Sequence, residues 1–172
     1  DNDPSARITA ITDERFTTYS RIRLIDYLGD DVEQEELILK SEEWFKSNEI
    51  EVVLGDKVVV VDPEKKMVRT ASDKEFGYDK LLLATGSRSF IPPIEGTDKS
   101  GVYTLRSMDD ADAIKGHCGG AACDVVVIGG GVLGLEAGNA LRRRSYKVTV
   151  VEAFPRLLPR QTDPRASAIL KR

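Results

Sequence analysis

The sequence predicts an α/β protein whose last third is a β-α-β unit and whose middle is an antiparallel meander of short strands. Three observations carry this reading. The stretch DVVVIGGGVLGLEAGNALRRRSYKVTVVE, residues 124–152, runs from an apolar segment through three glycines into a helical pattern, then into a second apolar segment ending in an acid. Residues 50–79, IEVVLGDKVVVVDPEKKMVRTASDKEFGYD, alternate β-rich runs with turn signals at LGD, DPEKK and ASDKE, the pattern of short antiparallel strands. KLLLAT, residues 80–85, is continuously apolar, as a parallel strand buried on both faces would be.

The remaining elements follow in chain order. RITAIT (7–12) suits a short strand, and SRIRLIDYL (20–28) places Ile22, Ile25 and Leu28 at the three-residue spacing of one helix face. SEEWFKSN (41–48) reads as a helix, with Ser41 as N-cap and Glu42 and Glu43 in the first turn. In GSRSFIPPIEG, Pro92 and Pro93 forbid regular structure. SMDDADAIKG (107–116) reads as a short helix capped by Ser107 and closed by Gly116, and HCGGAA is a linker. The domain boundary is placed near residue 116. The chain begins DNDPSARI and stops at DPRASAILKR, a helical pattern without a Gly or Pro stop signal; both ends read as cut, as expected of a fragment.

Composition narrows the function classes. Twenty-five basic and 29 acidic residues leave a net charge of −4, which gives no electrostatic footprint for nucleic acid. The densest positive run, RRR at 142–144, falls at the end of a predicted helix, where cations favour the negative end of the helix dipole. No apolar run approaches the roughly 18 residues of a membrane span, and the N-terminus is no signal peptide. Two cysteines argue against a disulfide framework and fit a reducing compartment, so the expected location is the cytoplasm.

Gly129, Gly131 and Gly134 make a G-x-G-x-x-G pattern between a β run and a helix. The first glycine permits the tight strand-to-helix turn, the second lets backbone approach a pyrophosphate, and the third lets the helix pack closely. Phosphate would rest on the N–H groups of the loop Gly129, Gly130, Gly131, Val132, Leu133 and Gly134, aided by the dipole. Glu152 falls 23 residues after Gly129, where a carboxylate takes the adenosine ribose hydroxyls and favours NAD(H) over a 2′-phosphate. Arg156 lies close enough to raise NADP.

GGGVLGLEAGNALRRRSYKVTVVE, FGYDKLLLATGSRSFIPPIEG and YSRIRL together resemble the FAD-dependent pyridine nucleotide–disulfide oxidoreductase superfamily. Within it, they look like the flavoprotein part of assimilatory NAD(P)H nitrite reductase large subunits and their stand-alone relatives. SEEWFKSNEIEVVLGDKV, GVYTLRSMDDADAI and RLLPRQTD occur in the order that branch shows. The resemblance implies a fold made of parts of two Rossmann-like dinucleotide-binding domains, with the β-meander inserted in the first. Residues 1–116 would be a partial FAD-binding domain lacking its first β-α unit, and 117–172 the first half of an NAD(P)-binding domain.

The same resemblance implies an enzyme using FAD and NAD(P)H, with NADH preferred, that passes hydride to flavin and electrons onward. The acceptor would be a sirohaem nitrite-reducing domain or a rubredoxin-like protein, and a homodimer of the full-length protein is compatible with the family. A rubredoxin or ferredoxin reductase, an NADH oxidase, and a non-catalytic NAD(H)-binding module are the alternatives. By resemblance, Thr85 and Gly86 line the FAD near its pyrophosphate, and Arg21 lies beside the flavin ring, with Arg23 as competitor. Glu136 faces the flavin–nicotinamide junction, could pair with Arg21, and also lies close to its helix N-terminus, where an acid is favourable anyway. By the same resemblance Asp13 or Glu14 would reach the FAD ribose.

Two positions depart from the family pattern: Gly138 stands where an Ala is usual, and Ser145 replaces a Gly that would take a left-handed conformation without strain. CGGAAC (118–123) has the C-x₄-C spacing of the superfamily's redox-active disulfide, but that disulfide sits near the position of SRIRLIDYL, which has no cysteine. The pair is therefore not read as that centre. With His117 it would make a zinc site short of one protein ligand.

Overall fold

In a computed structural model that describes residues 5–119 and 123–171, the chain divides into two compact units. The first comprises Asp1–Ser20 and Ile38–Ser87, the second Arg21–Leu37 and Arg88–Arg172. The fold is α/β throughout, with parallel and antiparallel strand pairs kept in separate sheets.

In the first unit, β1 (Ile8–Ile11) pairs in parallel with β2 (Ile50–Val53), Ile8 opposite Ile50 and Ile11 opposite Val53. A helix, α3 (Glu42–Ser47), precedes β2 and packs on it. The Ser41 hydroxyl accepts the Trp44 N–H at 3.3 Å, satisfying one of the donors a helix start leaves open. The meander forms as an antiparallel sheet of β3 (Val58–Asp62), β4 (Met67–Thr70) and β5 (Glu75–Gly77). Its turns are tied by acids: the Asp62 carboxylate accepts the Lys65 N–H, and Asp56 accepts both the N–H and hydroxyl of Ser72.

Residues 80–85 form no strand in the structure, and Leu82 is 86% exposed. Continuous apolarity specifies a strand only where neighbours supply its hydrogen bonds, and among the described residues none pairs with this stretch.

In the second unit, a 3₁₀ turn at Arg21–Arg23 leads into α1 (Leu24–Leu28), followed by α2 (Gln34–Leu37). The helix expected from residue 20 thus begins with a tighter turn. Next comes α4 (Met108–Cys118), whose start is a capping box: the Ser107 hydroxyl accepts the Asp110 N–H, and the Asp110 carboxylate accepts the Ser107 N–H, both at 3.1 Å. It runs past Gly116 and ends at Gly119, which adopts the left-handed conformation at φ +57°. His117 and Cys118, expected in a linker, are therefore helical, and residues 120–122 lie outside the described residues.

The β-α-β unit consists of β6 (Asp124–Ile128), α5 (Val132–Arg143) and β7 (Lys147–Val151), the strands parallel with Asp124 opposite Lys147. Val125 and Val148 turn toward a cluster built on Leu28, Leu141 and Tyr146, which draws α1 and α5 together. Burying a leucine such as Leu28 or Leu141 contributes about 1.5–3 kcal/mol. A last helix, α6 (Pro164–Leu170), starts on Asp163, whose carboxylate accepts the Ala166 N–H. No helix among the described residues is long and apolar enough to cross a membrane.

Candidate functional site

The glycine loop joins β6 to α5. Gly129 has φ +114°, a conformation that only glycine adopts readily, and its N–H donates to the Val151 carbonyl at 2.8 Å. A Cβ at Gly134 would lie 2.1 Å from the Gly129 carbonyl oxygen. The third glycine is thus required chiefly by the loop's own backbone, with the strand residue Val127 a further 3.4 Å neighbour. Gly131 is the N-cap of α5, and a Cβ built there meets nothing within 4 Å. No side chain caps α5 and its first turn holds no acid, so its leading N–H groups are left to other partners. These residues fit the pyrophosphate of a dinucleotide, an anion held by helix N–H groups and dipole.

Glu152 follows β7 directly. Its carboxylate accepts the Gly130 N–H at 2.6 Å and the Phe154 N–H at 2.9 Å. These hydrogen bonds, Phe154 foremost and Gly130 next, hold its pKa below the ordinary glutamate range. A fixed anion therefore stands beside the glycine loop. Arg156 turns away from such a role: it donates to the Pro159 carbonyl at 2.7 Å, and its Nε is buried without a partner.

Glu136 is the fifth residue of α5, beyond the first turn, so the helix dipole accounts for little of its placement. It lines a cavity of about 350 Å³ with Ile22, Ile25, Asp26, Asn139 and Arg143. Arg21 stands at the 3₁₀ turn and donates to the Arg106 carbonyl at 2.8 Å. Its competitor Arg23 faces Asp26 at 3.7 Å and Glu36 at 4.0 Å and donates to the Glu36 carbonyl. Arg23 is thus committed to joining α1 and α2.

In the first unit, Gly86 takes φ +67° just after the exposed Thr85, a sharp turn at which a side chain would be strained. The Glu14 carboxylate accepts the Tyr19 hydroxyl, which occupies that candidate locally.

Residue-by-residue reading missed two features. Cys118 and Cys123 are joined as a disulfide, although a count of two cysteines argued against a disulfide framework. The C-x₄-C spacing was the available signal, and the pairing follows from a helix end and a strand start that bring the two Cα atoms to 5.7 Å. The other is a charge network that uses the RRR run. Arg143 pairs with Asp31, Arg144 reaches Asp30 at 3.1 Å, and Lys115 reaches Asp30 at 2.7 Å.

Fold and loop together define a dinucleotide-binding α/β protein. The comparisons with known proteins are more particular. The model of the pyridine nucleotide-disulphide oxidoreductase family matches residues 2–172. The nitrite reductase [NAD(P)H] large subunit of Klebsiella oxytoca is 39% identical over 165 residues, covering 96% of this chain and 17% of that protein. Rubredoxin-NAD(+) reductase of Pseudomonas putida is 35% identical, covering 95% of this chain and 43% of that protein. Among solved structures, the NAD-dependent persulfide reductase of A. fulgidus superposes with a TM-score of 0.89 at 32% identity, over 98% of this chain and 33% of that one. The chain belongs to the pyridine nucleotide-disulphide oxidoreductase family, whose members are FAD- and NAD(P)H-dependent enzymes. It spans less than half the length of these relatives.

Proposed function

We propose that this chain is the cofactor-holding part of an FAD-dependent oxidoreductase that takes hydride from NADH, with nitrite reduction as the preferred downstream chemistry. The observation that carries the NADH reading is the anchored Glu152 carboxylate beside an uncapped glycine loop. The loop N–H groups of Gly131 to Gly134 hold the pyrophosphate. Glu152 accepts the ribose hydroxyls and repels a 2′-phosphate, and Arg156, held on Pro159, supplies no compensating cation there. FAD, when bound, supplies the hydride-accepting and electron-passing chemistry.

In this reading residues 1–116 serve the flavin and 117–172 the nicotinamide cofactor. Thr85 and Gly86 line the flavin nucleotide's pyrophosphate. Arg21 sets the charge beside the flavin ring, and Glu136 orients the nicotinamide from its place on the α1–α5 cavity. Three nitrite reductase relatives at 33–39% identity favour nitrite as the final acceptor. A rubredoxin-type acceptor is the second reading, favoured by the 35% identity to rubredoxin-NAD(+) reductase. In either case the protein works with a separate electron-accepting module.

Equilibrium titration with NADH and NADPH tests the first part. NADH should bind at least about tenfold more tightly, roughly 1.4 kcal/mol, and Glu152→Gln should narrow the gap. Equal binding of both by the wild type would refute the assignment. For the second part, NADH oxidation by the protein carrying this chain is followed with nitrite and with rubredoxin. Turnover with rubredoxin alone would transfer the case to the second reading.

A further inference from the structure

The Cys118–Cys123 bridge lies outside the nucleotide site and outside everything the proposed function uses. Cys118 is the last residue of α4, and Cys123 directly precedes β6, the strand that leads into the glycine loop. Both residues are half-buried and pack on the cluster of Leu28, Leu141 and Tyr146. The two attachment points are also held independently of the bridge. The Gly119 N–H donates to the Lys115 carbonyl at 3.2 Å, and the Cys123 carbonyl accepts the Lys147 N–H at 2.9 Å. Beside the helix end, His117 Nδ1 meets the Tyr103 hydroxyl at 3.1 Å.

We propose that Cys118 and Cys123 form a thiol–disulfide couple that opens and closes in the folded protein and sets how firmly the start of β6 is anchored. The sequence separation of 5 makes this a very small ring, which restricts an unfolded chain far less than a long one, so the bridge is a weak staple. Partial exposure admits a small thiol. After opening, the helix cap and the β6–β7 pairing keep the two thiols as neighbours, so reclosure is intramolecular and favoured. Chemically, a small-molecule thiolate displaces one cysteine sulfur to give a mixed disulfide, and a second thiol displaces the other half. Two electrons and two protons pass to the protein, leaving two protein thiols and one small-molecule disulfide. The reverse consumes a small-molecule disulfide and returns two small thiols. None of this depends on the nucleotide reading.

The test equilibrates the folded chain with glutathione and glutathione disulfide at a series of ratios. It is then quenched with N-ethylmaleimide, weighed by mass spectrometry, and followed by circular dichroism. One transition from zero to two labels, with unchanged secondary structure, is expected. Labels that appear only under denaturant, or at every ratio, overturn the proposal. Amide hydrogen exchange of residues 124–128 then reads the anchoring, and should be about three- to tenfold faster in the reduced protein. The Cys118→Ser, Cys123→Ser double variant should match the reduced protein in either buffer. Equal exchange in oxidised and reduced wild type, a comparison that needs no variant, overturns the anchoring.

Discussion

At the scale of single residues, glycines and their substitutes make the sharpest predictions. Gly134→Ala drives a Cβ into the Gly129 carbonyl oxygen, so the loop must shift; NADH binding should fall at least about tenfold, since the N–H groups no longer converge. Gly138 is the opposite case. A Cβ there would meet Val148 at 3.4 Å, an ordinary contact, so Gly138→Ala should raise stability by about 1 kcal/mol in urea titration. Ser145 holds φ +67° before β7, and Ser145→Gly should likewise gain about 1 kcal/mol by relieving a left-handed serine. Gly134 was legible in the sequence because its constraint is local, a close approach within one loop; Gly138 and Ser145 stood out only against the family pattern. The Arg143–Asp31 pair was not, because 112 residues separate its partners and nothing in either stretch announces the other.

At the scale of elements, the helix starts at Ser41 and Ser107 were readable from their caps and the acids that follow, whereas the helix ends and the lack of a strand at 80–85 were not. A cap is a contact within one turn; a strand is a contract with a neighbour elsewhere in the chain. The junction of α1, α4 and α5 is built on such distant contacts. Tyr27 of α1 donates to Asp112 of α4 at 2.6 Å, and Lys115 sits 4.0 Å over its ring. Burial first, then the hydrogen bond to Asp112, push the Tyr27 hydroxyl up to about 12 from its ordinary 10.0. The sign follows by linkage: the neutral phenol is favoured in the folded state, so its contribution is complete below pH 10 and is lost as pH rises toward 12. Thermal melts should fall across that window, and Tyr27→Phe should flatten the decline. In the same junction, Leu141→Ala should cost about 2–5 kcal/mol by cavity formation in the cluster it shares with Leu28 and Tyr146.

At the scale of the molecule, the α/β class and the β-α-β unit were legible, because alternation of apolar runs with turn residues is a global property of a sequence. The membership of residues 21–37 in the second unit was not. Among the described residues α5 packs on the β6–β7 sheet, and Val126 of that sheet remains 63% exposed, although parallel sheets are ordinarily covered on both faces. Light scattering of the chain alone should therefore show association by about 100 µM, which Val126→Lys should reduce; a monomer at that concentration would refute the expectation. The assignment of residues 21–37 also imposes a schedule on synthesis. Asp31 must wait 112 residues for Arg143, and Leu28 waits 116 for Arg144. At about 5–20 residues per second, the early segment spends roughly 6–23 s without these two partners. Over that interval Leu24, Tyr27 and Leu28, all buried at the end, stand open to whatever chaperone meets the nascent chain.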